Sequence, residues 1–471
     1  MGFYFPNNPF GGPNLIVPLV MFAWIPAVFY LFSRFPPRRA VVISFVAAWL
    51  YLPQAALPLP GLPDYTKVTA TSYGILLATL VFDSDRLQTF RLGWLDLPML
   101  IWCLCPLPTS LSNGLGLYDG MSSTLGQSVL WGIPYFLGRI YFSDITGLRQ
   151  LAMGIFVGGL TYMPLCLIET RISPQLHRIV YGGHAYADFG QSIRLGGYRP
   201  TVFMSHGLAV GAFMMAATLI GIWFWQTGTV KKVWKYPISW WVGALLFTFI
   251  MLKSTGAYIN LGLGVGILLA GKYFRTALPV YILIAVMCIY LYINAITGNY
   301  FADQIIETLS RFLEPDRIGS LRFRFNNEEL LSDKARERIV LGWGGWGRNL
   351  IYENGEQKTI PDSLWILAFG VNGLVGLASL FSALLLPVAS FFWSRYPARL
   401  WARPEVAPAA VLAISLTLYV VDCLVNAMVN PLYILISGAL AGVVLKPLQR
   451  LQSTTASPAR RSALPSRLPS R

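Results

Sequence analysis

The chain has 471 residues, of which 55% are hydrophobic and only 12% charged, with a formal net charge of +15 and a mean hydropathy of +0.55. Soluble domains carry roughly twice that share of charge, so a lone soluble core is excluded. Apolar runs near the length of a membrane-crossing helix recur from end to end, which defines an all-α polytopic integral membrane protein.

Taken in chain order, the predicted spans cover about 15–33, 40–57, 68–82, 94–112, 122–142 and 148–169. They continue over 202–225, 237–252, 257–270, 277–295, 363–393, 407–427 and 431–445. That is roughly 12–13 helices by the ~20-residue criterion, several of them short or broken by Pro and Gly. The 94–112 stretch, with Pro98, Pro106 and Pro108, is the most interrupted. The organisation expected is helices one to ten in 1–298, with a basic loop at 170–201. A long loop at 299–361, the last three helices in 362–446 and a disordered basic tail at 447–471 follow.

Lysine and arginine set the expected orientation. Arg34, Arg38 and Arg39 follow the first span, Arg86 and Arg91 the third, and Arg149 the fifth. Lys231, Lys232 and Lys235 follow the seventh, Lys272 and Arg275 the ninth, and Arg395, Arg399 and Arg403 the eleventh. Every other loop is therefore basic, which puts those loops and the C-terminus in the cytoplasm and the N-terminus outside. This loop bias accounts for the net charge without nucleic acid as a partner. The five cysteines all fall in apolar runs and read as packed free thiols. No zinc-like His/Cys spacing, phosphate loop or dinucleotide fingerprint is present, so neither metal nor cofactor is expected.

Two loops on the predicted outer face retain positive charge against the bias. The first carries Arg171, Arg178, Arg194 and Arg199, with His177 and His184; the second carries Arg311, Arg317, Arg322, Arg324, Arg336, Arg338 and Arg348. Arginine suits a diphosphate, because its planar fork makes bidentate contacts. Within the second loop, Leu321, Phe325, Leu330, Leu331 and Ile339 recur near helical spacing, predicting an amphipathic helix over 320–340. It leads into the turn Leu341-Gly-Trp-Gly-Gly-Trp-Gly347. Gly342, Gly344 and Gly345 permit close backbone approach. Trp343 and Trp346 are rings that settle at a membrane interface or stack on a sugar. Asp362 then opens the next apolar run, equally placed to cap that helix or to act as a base at its mouth. His206, Lys253 and Asp422 are polar residues inside or beside apolar spans.

These features together resemble the O-antigen ligase and polymerase superfamily. They are many spans, a long external loop before the last three, a G-W-G turn, then a helix with Gly370, Gly373 and Gly376. The Leu195-Gly-Gly-Tyr-Arg-Pro200 segment and the turn at Ser254, Thr255 and Gly256 fit the same pattern. The resemblance implies a GT-C-like helical bundle of the bacterial inner membrane. It implies a glycosyltransferase that moves glycan from a polyprenyl-diphosphate-linked oligosaccharide to an acceptor glycan or glycolipid on the periplasmic side. It further implies a metal-independent reaction and a chain-length regulator as an optional partner.

Two positions depart from the family. Asp362 stands where members commonly carry a proton-handling histidine, and Thr255 stands where ligases carry arginine, with Lys253 close by. The expected catalytic candidates are thus Asp362, with His177 or His184 as substitutes. The expected substrate-binding set is Arg199 with Lys253 on the diphosphate, joined by Arg194, Arg171, Arg348, Trp343, Trp346 and Gly344. A polymerase, a ligase and a transporter of a lipid-linked anion are the three readings. A transporter predicts inverted repeats; none stands out, and the unusual charge lies on one face, which favours an enzyme.

Overall fold

The computed structural model describes residues 2–8, 12–88, 90–186, 188–194, 196–298, 306–307, 310–311 and 315–446. The predicted tail, 447–471, and the start of the long loop lie outside the described residues.

Helix occupies each of the thirteen stretches predicted to cross a membrane. Among the described residues, six helices are long and apolar enough to do so: Ile16–Arg34, Trp94–Ser112, Ile145–Ile172, Gly207–Thr227, Leu278–Thr297 and Leu364–Arg395. Lys67–Phe82, Ile238–Met251, Ala407–Cys423 and Pro431–Leu445 are shorter apolar helices. Among the described residues, the strands form four two-stranded antiparallel hairpins. The architecture is that of an all-α, membrane-embedded protein.

Two span boundaries differ from the sequence expectation for local reasons. The second helix ends at Tyr51, not near 57, because Leu52 precedes Pro53 and adopts an extended backbone (ψ 150°), as a residue before proline prefers. Ala56–Leu59 then pairs with Leu62–Thr66 as a hairpin. The seventh helix begins at Gly207, not near 202. The backbone N–H groups of Thr201 and Val202 donate instead to Glu169 Oε2, at 2.8 and 2.7 Å. Lys67 Nζ meanwhile donates to the Phe203 carbonyl at 3.1 Å. A buried acid and a buried lysine thus hold these three residues out of the helix.

Burial sorts the helices into layers. The apolar window of Gly207–Thr227 is 83% buried, whereas those of Ile16–Arg34 and Leu278–Thr297 are 22% and 28% buried. Ala407–Cys423 and Pro431–Leu445 are buried along nearly their whole length. A helix apolar all round is either central to a bundle or faces lipid. Here both occur, with Leu19, Phe22, Ile282 and Ile289 exposed on the outer pair.

The predicted amphipathic helix runs over Pro315–Arg336, shifted toward the N-terminus from the expected 320–340. Its inward stripe is half polar: Asn327, Glu328, Leu331, Ser332 and Ala335 are buried, while Phe323 and Leu330 are exposed. Docking relies on polar bonds. Glu328 accepts from Tyr290 Oη (3.0 Å) and from Trp365 Nε1 (3.3 Å). Arg336 donates to the Asn294 carbonyl at 2.9 Å, and the Ile360 N–H donates to Asn327 Oδ1 at 3.1 Å. Hydrophobic periodicity missed these contacts because carboxylate and amide groups make them.

The turn after this helix is stitched into the Leu364–Ser390 helix, which breaks at Gly373 (φ 63°, ψ −161°). Leu374 N–H donates to Ile339 O, Trp343 N–H to Gly370 O, and Gly344 N–H to Val371 O, at 2.8–2.9 Å. A Cβ on Gly373 would lie 2.3 Å from the Val340 carbonyl, and one on Gly342 would lie 2.6 Å from Gly373 N. Only glycine fits at either place.

Candidate active site

Two adjoining cavities form one cleft at the mouth of the bundle, sharing Gln191, Arg194, His206, Leu208, Arg324 and Asn426. The deeper part, about 240 Å³, adds Arg199, Ser254, Thr255, Tyr419 and Asp422. The outer part adds Tyr186, Phe323 and Asp362. Separate segments contribute: Asn7, the loop residues Tyr186, Gln191, Arg194 and Arg199, the start of Gly207–Thr227, the start of Thr255–Tyr273, the end of Ala407–Cys423 with Val425 and Asn426, helix Pro315–Arg336, and Asp362.

Local bonds position each group. The hairpin Ile193–Arg194 with Gly197–Tyr198 and the Arg199 N–H to Ser192 O bond, 2.7 Å, carry Arg194 and Arg199 to the cleft wall. Arg199, 5% exposed, lays its methylenes over Gly207, where a Cβ would be 2.2 Å from its Cδ. Arg194 Nε is buried and makes no hydrogen bond within the described residues. Arg324 reaches across from the surface helix, donating to Val425 O (3.1 Å) and Asn426 Oδ1 (3.3 Å). Its Nε lies 3.8 Å from Asp362 Oδ2. Asn426 Nδ2 donates in turn to Asp422 Oδ1 at 3.0 Å. A polar chain Asp422–Asn426–Arg324–Asp362 therefore spans the cleft.

The two titratable groups Asp362 and His206 differ. Asp362 is half-buried, and burial raises its carboxyl above the ordinary aspartate value, with the Arg324 cation pulling it partway back. The following helix starts at Leu364, and its N-cap is Ser363, which makes no side-chain cap bond. Asp362 thus stands one residue outside the cap, beside Arg324. His206 is the N-cap of its own helix, its Nδ1 accepting from Leu208 N–H at 3.1 Å. That bond leaves the proton on Nε2, which donates to Gln191 Oε1 at 3.1 Å. Burial first, then Arg199, Arg324 and Arg194, push this imidazole down to about 4. It is a neutral donor at ordinary pH.

The structure gathers Asp362, Arg194 and Arg199 from the expected set and places the others elsewhere. His177 is walled in by Phe5, Tyr181 and Phe203. Its Nε2 accepts from Gln54 N–H (3.1 Å) and its Nδ1 bonds Gly183 O (2.6 Å). Burial pushes it down to about 4. His184 packs beside Phe189, with its Nδ1 3.3 Å from Pro174 O, and does not line the cleft. Lys253, at φ 53°, offers its backbone carbonyl to Arg199 (3.5 Å), while its ammonium lies against Gly197. Arg171 is exposed, and Arg348 donates to Asn113 O at 3.2 Å. Trp343 donates its indole N–H to Lys334 O (2.8 Å) under Lys334 and Arg338. Gly344 packs near Leu115, and Trp346 is 79% exposed. The glycine-tryptophan turn is thus a structural clasp.

Sequence reasoning did not single out Arg324, one of seven loop arginines. It noted His206 and Asp422 only as polar residues among apolar ones. The one available signal was their isolation inside hydrophobic sequence.

The fold is that of a helical membrane protein with a cationic cleft at one end of its bundle. No protein-family model and no characterised protein matches the sequence.

Proposed function

We propose that this protein is a membrane glycosyltransferase of the O-antigen polymerase kind. It would transfer glycan from a polyprenyl diphosphate to a sugar hydroxyl at the periplasmic face of a bacterial inner membrane. The observation that carries the reading is the convergence of Arg194, Arg199 and Arg324 on one cleft that also holds Asp362. Three guanidinium groups match a diphosphate in charge and in fork geometry. The unsatisfied N–H of Arg194 is a donor that a bound phosphate oxygen would engage.

In the reaction, the acceptor hydroxyl oxygen forms a bond to the anomeric carbon. The bond from that carbon to the diphosphate oxygen breaks, and its electron pair leaves with the polyprenyl diphosphate. The arginines stabilise the charge that builds on the leaving group. Asp362 takes the hydroxyl proton, helped by a burial-raised affinity for it. His206 Nε2–H is a neutral donor for a sugar or phosphate oxygen.

The test uses the purified chain in a lipid nanodisc with a polyprenyl-diphosphate-linked oligosaccharide. Released polyprenyl diphosphate and lengthened glycan are followed together. Both are expected from the native chain, and Asp362→Asn should slow both by about 10²–10⁴-fold with an unchanged Tm. No release from a folded native chain supplied with donor and acceptor would overturn the reading.

A further inference from the structure

A second cationic cavity, about 440 Å³, lies at the far end of the bundle. Pro431–Leu445 begins beside Met428 of the cleft and ends at Lys446 on this cavity. At ~1.5 Å per residue, that helix separates the two sites by roughly 20 Å. The wall carries Arg38, Arg86, Arg91, Arg139 and Lys446, and no Asp or Glu lines it among the described residues.

The carboxylates that accompany these cations stand behind the wall. Arg139 donates to both oxygens of buried Asp96, at 2.7 and 3.0 Å. Arg38 pairs with Asp144, which caps the next helix by accepting from Gly147 N–H at 2.7 Å. Arg86 pairs with Asp83 at 2.6 Å. Each acid is thereby committed to the scaffold, and the guanidinium groups it holds remain part of the cavity lining. Basic residues that merely set membrane orientation need only be near the end of a span; they need not converge on a concave site. Five cations against three carboxylates leave the cavity short of negative charge. Phe90, Leu92, Ile140 and Leu445 supply apolar wall on the same cavity, as a ligand with a hydrocarbon part would require.

We infer that this cavity is a binding site for a phosphate group, carried by an anionic lipid headgroup or free in the adjoining water. It is distinct from the cleft and does not depend on the transfer reaction.

Arg91 and Lys446 are the cations to change, because both are exposed; Lys446 lies 3.9 Å from Asp144, but that acid keeps Arg38 as its closer partner. The full chain in detergent is titrated with phosphatidylglycerol, with phosphatidylcholine and with inorganic phosphate. Tm and lipid retained in native mass spectrometry are recorded. A ligand that binds only the folded chain raises Tm with its concentration. Phosphatidylglycerol is expected to raise Tm and be retained, phosphatidylcholine to do much less. The Arg91→Gln, Lys446→Gln double variant should need about tenfold more ligand or beyond, given the worth of charge-assisted bonds. A matching rise with inorganic phosphate, lost in the double variant, would identify free phosphate as the source. Equal titrations for native chain and double variant, or no shift with any phosphate compound, would overturn the site. Arg171→Gln, exposed and outside both cavities, is the control and should titrate as the native chain does.

Discussion

Arg324 and Asp362 meet at 3.8 Å although one lies on a surface helix and the other precedes a membrane-crossing one. The contact joins the long loop to the cleft and gives Asp362 a cationic neighbour in that cleft. With both side chains about one-third exposed, its worth to stability is small. Its effect on the protonation of Asp362 is the measurable consequence.

A general base works as the carboxylate, so transfer should slow as pH falls through the Asp362 value. Burial raises that value and Arg324 lowers it. Arg324→Gln removes the lowering influence, so the acid limb of kcat/KM should move to higher pH. A limb that stays in place or moves to lower pH would remove Asp362 from the proton transfer.

The cations of the cleft should separate from those outside it. Arg194→Gln, Arg199→Gln and Arg324→Gln are each expected to weaken donor use by about tenfold or more, the worth of a charged hydrogen bond. Lys253→Gln should leave it within about twofold, because the part of Lys253 that touches Arg199 is its backbone carbonyl. KM for the lipid-linked donor is the readout, and a Lys253 variant as defective as the Arg199 variant would contradict this placement.

Two histidines should give opposite results. His177→Gln breaks bonds to Gln54 N–H and Gly183 O in a packed core. It should cost about 1–3 kcal/mol of stability while leaving the activity of folded molecules unchanged. His206→Gln should lower transfer while costing only the cap on Leu208, about 1 kcal/mol. Thermal unfolding beside specific activity distinguishes the pair.

Gly373→Ala should be among the most damaging small substitutions. The positive φ alone costs about 1–3 kcal/mol, and the new methyl would lie 2.3 Å from a carbonyl that cannot swing away. Gly319→Ala, where a Cβ meets nothing within 4 Å, is the matched control. Fluorescence-detected gel filtration after heating should show the first unfolding far below the second.

Orientation has its own test. A reporter active only outside the cytoplasm should be active when fused after Gly345 and silent when fused after Arg461. The reverse pattern would place the cleft on the cytoplasmic side.

Membrane class and the approximate positions of the apolar helices were legible in the sequence alone. Apolar composition and proline placement act through neighbouring residues, and a bilayer demands internally bonded backbone. Arg194 and Arg199 stood out as positive charge kept on a predicted outer loop, and Asp362 as the residue at the position where the resembled family carries a histidine. The sequence left Asp362 balanced between cap and base. The tertiary structure put the helix start at Leu364 and the carboxylate beside Arg324. It also closed His177 into the core, laid the Lys253 ammonium against Gly197, and bonded the glycine-tryptophan turn to the helix around Gly373. Those outcomes depend on bonds such as Glu169 to Thr201, 32 residues apart, and Arg324 to Asn426, 102 residues apart. Local spacing does not encode such contacts, because they exist only once the helices have packed.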